Sequence, residues 1–269
     1  ARLNAATPVI IPGDEGSGFK LTAQALEQAI TPHSKWVILN TPNNPSGAVY
    51  SCDELLALAE VLRRHPHVLI MSDEIYEHFV YDLACHLSLV NVAPDLKART
   101  LIVNGASKGY AMTGWRLGFA AGPGVLITAI GKLISQTTTC PSSISQAAAV
   151  AAFAGDQAPI AQMRGIYAQR RQRMLEGLDG INGLRCTPPL GAFYIFANVA
   201  GLLGKQSSQG LRIKSDTDLA NYLLQEANVA TVSGAAYGMS PYLRLSFSSP
   251  MDVIEKGCRR ISEACQKLR

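Results

Sequence analysis

Short apolar runs closed by polar, glycine- or proline-rich clusters alternate along this chain with stretches of helical period. Trp36-Val37-Ile38-Leu39-Asn40 meets the cluster Thr41 to Gly47, His67 to Ser72 meets Asp73 and Glu74, and Thr100 to Asn104 meets Gly105. Runs of this length and continuity predict parallel strands buried on both faces. Between the first two, Ser51 and Glu54 form an S-x-x-E capping box ahead of Leu55, Leu56, Leu58, Ala59 and Leu62, which predicts a helix that Pro66 ends. Strands alternating with helices predict a parallel α/β sheet. Such sheets bind ligands outside the carboxyl ends of their strands, here marked by Asn44, Asp73 and Lys108.

From Ala158 to Leu178 the pattern is one long helix, with Arg164, Arg170, Arg171 and Arg173 on or near its polar side, as a solvated face would have them. The turn-rich break Gly180 to Pro189 follows. The change of domain is placed around this helix and break: residues 1–165 as the large domain and 166–269 as a smaller C-terminal α+β domain. Strand Ala192 to Ala197, a flexible Gly/Ser stretch at Gly204 to Gly210, helix Thr217 to Asn228 and strand Tyr242 to Ser246 are predicted there. A last helix carries Ile254, Cys258, Ile261, Cys265 and Leu268 on one face, with Ser249 as its cap and Pro250 at its first position.

Composition narrows the class. With 269 residues, 48% hydrophobic and 16% charged, the chain has a sizeable core and is neither disordered nor of low complexity. Its 24 basic and 20 acidic residues leave a net charge of +4, too weak an excess to indicate a polyanionic partner, and no nucleic acid is expected. Cysteines 52, 85, 140, 186, 258 and 265 are scattered without a C-x-x-C pair, which suggests neither zinc nor a disulfide framework and leaves a reducing cytoplasm as the expected compartment. Apolar stretches such as Ala147 to Ala154 fall short of the ~20 residues that span a bilayer, so no membrane is expected. The chain opens on Ala1 without a charged-then-apolar leader, and strand-like Pro8 to Ile11 arrives as in the middle of a domain, which points to a missing N-terminal segment.

Three motifs lead nowhere. Gly105-Ala106-Ser107-Lys108-Gly109 has the G-x-S-x-G form of a nucleophile elbow, but that fold needs its histidine after the serine, and His33, His65, His67, His78 and His86 all precede Ser107. Gly109 and Gly114 are followed by Trp115-Arg116, not by the lysine and hydroxyl of a phosphate-binding P-loop. His65 and His67 flank Pro66 with no cysteine or carboxylate pair at ligand spacing, so no metal is expected there.

Four segments in fixed order are more specific: Thr41-Pro42-Asn43-Asn44-Pro45-Ser46-Gly47; Ser72-Asp73-Glu74-Ile75-Tyr76; Asn104 to Lys108 with Met112 to Gly118; and Tyr242-Leu243-Arg244-Leu245-Ser246. With Gly191-Ala192-Phe193-Tyr194, they resemble the class I aminotransferases, fold type I enzymes dependent on pyridoxal 5'-phosphate, over essentially the whole chain, and most of all bacterial aspartate aminotransferases. The resemblance implies a three-layer α/β/α cofactor domain around a mainly parallel sheet. It also implies a homodimer in the complete protein and transfer of an amino group from an L-amino acid to a 2-oxo acid, with aspartate and 2-oxoglutarate as the expected pair.

By the same resemblance Lys108 is the amine that anchors the cofactor and then moves the substrate proton. Asp73 pairs with the protonated ring nitrogen, and Asn44 and Tyr76 hydrogen-bond the phenolic oxygen. Ser107 and Arg116 clamp the phosphate, while Arg244, together with Asn44 on the substrate side, binds the α-carboxylate. The family's upstream phosphate loop, ring-stacking aromatic residue and N-terminal arm cannot be located ahead of Asn44, so cofactor binding and turnover by these 269 residues alone are expected far below those of a full-length relative. Ser46 stands for the usual threonine and Ser233 for the usual proline, both tolerable changes. Another enzyme of the fold type, such as a β-lyase or a different transaminase, shares every motif named. An aminotransferase-like sensor domain of a transcription regulator is the other alternative, distinguished by a basic helix-turn-helix upstream.

Overall fold

Three of the apolar runs pair side by side. The computed structural model describes residues 5–82 and 84–269, and in it the chain divides into two compact units, Ala1–Pro42 with Ala48–Ile160, and Asn43–Gly47 with Ala161–Arg269. The first unit holds helix α1 (Ala23–Ala29), strand β1 (Trp36–Asn40), α2 (Cys52–Arg64), β2 (Leu69–Asp73), α3 (Leu89–Val92), β3 (Thr100–Gly105), α4 (Ala106–Gly109), β4 (Gly118–Ala121), α5 (Gly124–Thr137) and α6 (Ser143–Ala154). Strands β1, β2 and β3 run parallel in that order, and β4 adds antiparallel to β3. The result is the expected mainly parallel α/β sheet.

The capping box forms as read: Ser51 Oγ accepts from the Glu54 amide (3.2 Å) and Glu54 Oε2 accepts from the Ser51 amide (2.8 Å). This starts α2 where its apolar stripe begins, and Leu55, Leu58, Ala59 and Leu62 pack with Leu26, Val37, Leu39, Val68 and Ile70 into one core. The expectation of strands buried on both faces fails at β1, where Val37 and Leu39 enter the core while Trp36 and Ile38 face outward. Among the described residues only one face of that strand is covered, so alternate side chains point away from it. Pro8 to Ile11 likewise joins no sheet, because a strand requires a hydrogen-bonded neighbour and no described residue supplies one. Helix α5 buries none of its residues.

The second unit continues with α7 (Ala158–Leu178), which begins in the first, then β5 (Arg185–Cys186), β6 (Tyr194–Asn198), α8 (Asp216–Ala227), β7 (Val232–Ser233), β8 (Tyr242–Ser246) and α9 (Met251–Gln266). Its sheet is antiparallel in the order β5-β6-β8-β7. Helices α7 and α9 cross closely, since a Cβ on Gly177 would lie 2.8 Å from Cys258 Cβ, and Arg173 Nε donates to Glu255 Oε1 (2.8 Å).

Four local expectations change here. Arg171 is buried, in helical register with buried Met174 and Leu178, so it does not belong to a solvated face. Strand β6 starts at Tyr194, because Ala192 adopts a left-handed φ of +56° that a strand cannot contain. The Gly204 to Gly210 stretch is closed by hydrogen bonds, with Gly204 and Gln206 amides donating to Ile213 and Arg269 carbonyls (both 2.7 Å), so it is not a free linker. The last helix takes Pro250, in extended conformation, as its N-cap instead of Ser249, and ends at Gln266, leaving buried Leu268 just beyond it.

Ser51→Ala removes one half of the box and leaves an orphan amide at the start of α2. The expected loss is about 1 kcal/mol of stability, read as a lower urea midpoint with unchanged cooperativity.

Candidate active site

Strand β3 runs straight into α4, so Ser107 and Lys108 emerge within one helical turn of the strand's carboxyl end. Glycines permit the tight approach: a Cβ on Gly105 would lie 2.8 Å from the Leu117 carbonyl oxygen, and one on Gly109 would lie 2.2 Å from the His78 ring. Lys108 Nζ stands 5.9 Å from the centre of the Tyr76 ring, within cation–π range. Ser107, Lys108, Thr113, Arg116, Leu117 and Gly118 line a hollow of about 340 Å³ together with Ile75. Arg116 enters it from a left-handed backbone position (φ +54°), an arrangement rare outside functional or tightly packed segments, and its Nη1 donates to the Thr113 carbonyl (3.0 Å).

Asp73, the last residue of β2, does not line that hollow but connects to it through Ile75, whose amide donates to Asp73 Oδ1 (3.3 Å). Burial pushes the Asp73 carboxyl above its ordinary value; the Ile75 amide opposes this and the charge of Glu74 adds to it. A carboxylate so placed favours a cationic partner. Its neighbour is treated in the opposite way. Burial alone would raise the Glu74 carboxyl, but His86, Ser88 and Ser72 outweigh it and hold it below its ordinary value. Ser72 Oγ (2.8 Å) and Ser88 Oγ (2.7 Å) donate to Glu74 Oε1, and His86 Nε2 lies 3.1 Å from Oε2. Glu77 stands in the same cluster and accepts from Asn104 Nδ2 (2.6 Å).

The remaining predicted residues, Asn44 and Arg244, meet in the second unit. Arg244 Nη1 donates to Asn44 Oδ1 (2.9 Å), and the guanidinium carbon lies 4.5 Å from the centre of the Tyr194 ring and 5.4 Å from that of Tyr237. The segment Asn43–Gly47 is held there by the Gly191 amide, which donates to the Gly47 carbonyl (2.8 Å); Gly47 has φ +70°, and a Cβ on it would strike Pro189 at 2.4 Å. A guanidinium has five donors in a planar fork, suited to gripping a carboxylate by two of them.

The sequence reading missed Glu74, Thr113 and Tyr237 and gave Tyr194 no role. Tyr194 had a signal available: it lies two residues from Phe196, which pairs with Arg244 across β6 and β8, and that spacing puts Tyr194 diagonally beside the arginine on one sheet face. Tyr237 and two of the partners of Glu74, His86 and Ser88, come from other segments, and spacing carries no trace of them.

A family model described as aminotransferase class I and II matches residues 1–261. An aspartate aminotransferase of Rhizobium meliloti (strain 1021) is 50% identical over 261 residues, 97% of this chain and 64% of the relative. An aspartate/prephenate aminotransferase of Cereibacter sphaeroides (strain ATCC 17029 / ATH 2.4.9) is 46% identical over 97% of this chain and 66% of the relative. Among solved structures, an aspartate aminotransferase from Rhizobium meliloti superposes with a TM-score of 0.94 at 50% identity, covering 97% of this chain and 66% of that one. An aromatic aminotransferase from Pyrococcus horikoshii OT3 does so with a TM-score of 0.86 at 34% identity, covering 96% and 67%. The chain thus spans about two thirds of the length of these relatives.

Two carboxylates side by side give opposite pH behaviour. The stabilisation from Glu74 is complete above the unfolded carboxyl value of about 4.3 and is lost as pH falls through its lower folded value. Glu74→Gln is therefore expected to cost roughly 1–3 kcal/mol at pH 7 and to flatten the acid limb of stability against pH, followed by urea unfolding from pH 7 to pH 3. Ionised Asp73 opposes folding, a penalty absent below the unfolded value near 3.9 and complete once pH exceeds the raised folded value. Asp73→Asn should raise the melting temperature of the cofactor-free chain at pH 7, and calorimetry showing no rise would contradict this account.

Proposed function

Because the chain belongs to the class I and II aminotransferases, we propose that it binds pyridoxal 5'-phosphate and transfers an amino group from an L-amino acid to a 2-oxo acid. Aspartate and 2-oxoglutarate are the proposed pair, in line with relatives named aspartate and aspartate/prephenate aminotransferases. The observation that carries this reading is the hollow beyond β3, whose lining includes Lys108, Ser107, Thr113 and Arg116.

Those residue types fit the cofactor. Ser107, Thr113 and Arg116 are donors of the kind a phosphate dianion accepts from, Lys108 offers a primary amine, and Asp73 is a carboxylate whose burial is relieved by a cation such as a protonated ring nitrogen. When bound, the cofactor supplies a ring that withdraws the electrons left on the substrate Cα when its proton departs.

In this reading Lys108 Nζ would hold the cofactor covalently and, with substrate bound, would take the proton from the substrate Cα and hand it to the cofactor's C4′. Ser107 and Arg116 fix the phosphate, which holds the ring in one orientation. Asp73 keeps the ring nitrogen protonated, and Tyr76 and Asn44 hydrogen-bond the phenolic oxygen. Arg244 binds the α-carboxylate by its fork and so points the substrate's Cα bonds. The proposed setting is a cytoplasmic homodimer; among the described residues no helix is long and apolar enough to cross a membrane.

Adding pyridoxal 5'-phosphate to the purified chain is expected to produce a visible absorbance band that Lys108→Ala abolishes. Borohydride reduction should then leave the cofactor's mass on the peptide carrying Lys108, and mass found only on other lysines would refute the assignment.

A further inference from the structure

Arg244 stands on β8 between buried Leu243 and Leu245, and its guanidinium is oriented by the Asn44 amide oxygen and by the rings of Tyr194 and Tyr237. Tyr194 belongs to the neighbouring strand and is fixed by the sheet. Tyr237 does not: it ends a short helical turn, Gly234–Tyr237, outside the sheet. That turn is tightly closed, with the Gly238 amide donating to the Ala235 carbonyl (3.0 Å) and the Met239 amide to the Gly234 carbonyl (2.9 Å). Gly238 has φ +72°, and a Cβ on Gly234 would lie 1.9 Å from the Met239 carbonyl oxygen.

One buried carboxylate holds both ends of this loop. Asp216, 1% exposed, accepts at Oδ2 from the Ala235 amide (3.0 Å) and from Ser240 Oγ (3.0 Å), the residues that flank Tyr237 on either side, and at Oδ1 from the Thr217 amide (3.0 Å). Helix α8 does not need Asp216 as its cap, because Ser215 Oγ already accepts from the Asp218 amide (3.1 Å). A charge buried at the start of α8 is therefore directed to the 234–240 turn, and the Tyr237 ring carried on that turn lies against the Arg244 guanidinium.

We propose that Asp216 is a positioning residue for Arg244, acting through the 234–240 turn and the Tyr237 ring so that the guanidinium is already aimed when a carboxylate arrives. The inference rests on reading Arg244 as the carboxylate grip. An arginine side chain free to rotate must be ordered by its ligand, whereas one held between aromatic faces has its fork in place beforehand.

Labelling of the purified chain by phenylglyoxal, followed at the Arg244 peptide by mass spectrometry, tests the two readings separately. Loss of the bracket in Asp216→Ala or Tyr237→Leu is expected to speed Arg244 labelling about three- to tenfold, the range of a cation–π contact, while Tyr237→Phe, which keeps the ring, labels at the wild-type rate. Arg173 on α7 serves as the internal reference, its rate unchanged in any folded variant. Tyr237 is half-exposed, so Tyr237→Leu decides the matter if Asp216→Ala does not fold. Wild-type labelling of Arg244 in folded Tyr237→Leu overturns the positioning role. Succinate, a plain dicarboxylate, should slow wild-type labelling and do so about three- to tenfold less tightly in the variants. If succinate gives no protection to the wild type although the variants label faster, the carboxylate reading of Arg244 fails and the positioning contact stands.

Discussion

Parallel strands all leave their sheet at the same edge, and that constraint brings chemistry to one place in the first unit. Asn40 pairs with Asp73 and Asp73 with Val103, so whatever follows the ends of β2 and β3 emerges in one neighbourhood however far apart it lies in the chain. Asp73 occupies the end of its strand, and Lys108 follows the end of the next by a single helical turn. Glycines 105 and 109 matter because a β-carbon at either would press on Leu117 or His78 and shift that turn.

Electrostatics near this edge divides adjacent carboxylates by task. Glu74 is buried and satisfied by two hydroxyls and an imidazole, which makes it part of the structure. Asp73 is half-buried, receives one long amide contact and feels its neighbour's charge. The folded chain disfavours that second charge, and a cation placed beside it would recover what burial costs. Strain and unmet charge concentrate at functional sites for this reason.

The second unit solves a different problem: keeping a guanidinium in place on a strand whose neighbours are apolar. Leu243 and Leu245 are buried, while Arg244 turns to the other face, where aromatic faces and one amide oxygen supply partial negative charge. An acidic partner would hold Arg244 more strongly but would occupy its fork of donors. Tyr194 and Tyr237 lie against the guanidinium from two segments, one in the sheet and one outside it.

Local signals in the sequence determined the elements. The capping box at Ser51 and Glu54, the long helix from Ala158 to Leu178 and the strands Trp36–Asn40 and Tyr242–Ser246 depend on patterns within a few neighbouring residues, and each formed with those bounds or features. Ordered motifs likewise pointed to Lys108, Asp73, Asn44 and Arg244 and to the family. The sequence did not show that Trp36 and Ile38 face outward, that Arg171 is buried, or that Pro8 to Ile11 pairs with no strand among the described residues, because burial depends on which segments cover a face. Nor did it show that Glu74 is satisfied by Ser72, Ser88 and His86, or that Asp216 steadies Tyr237 beside Arg244. Hydrogen bonds and ring contacts act over a few ångströms in space between residues far apart in the chain, and only the tertiary structure decides which of them come that close.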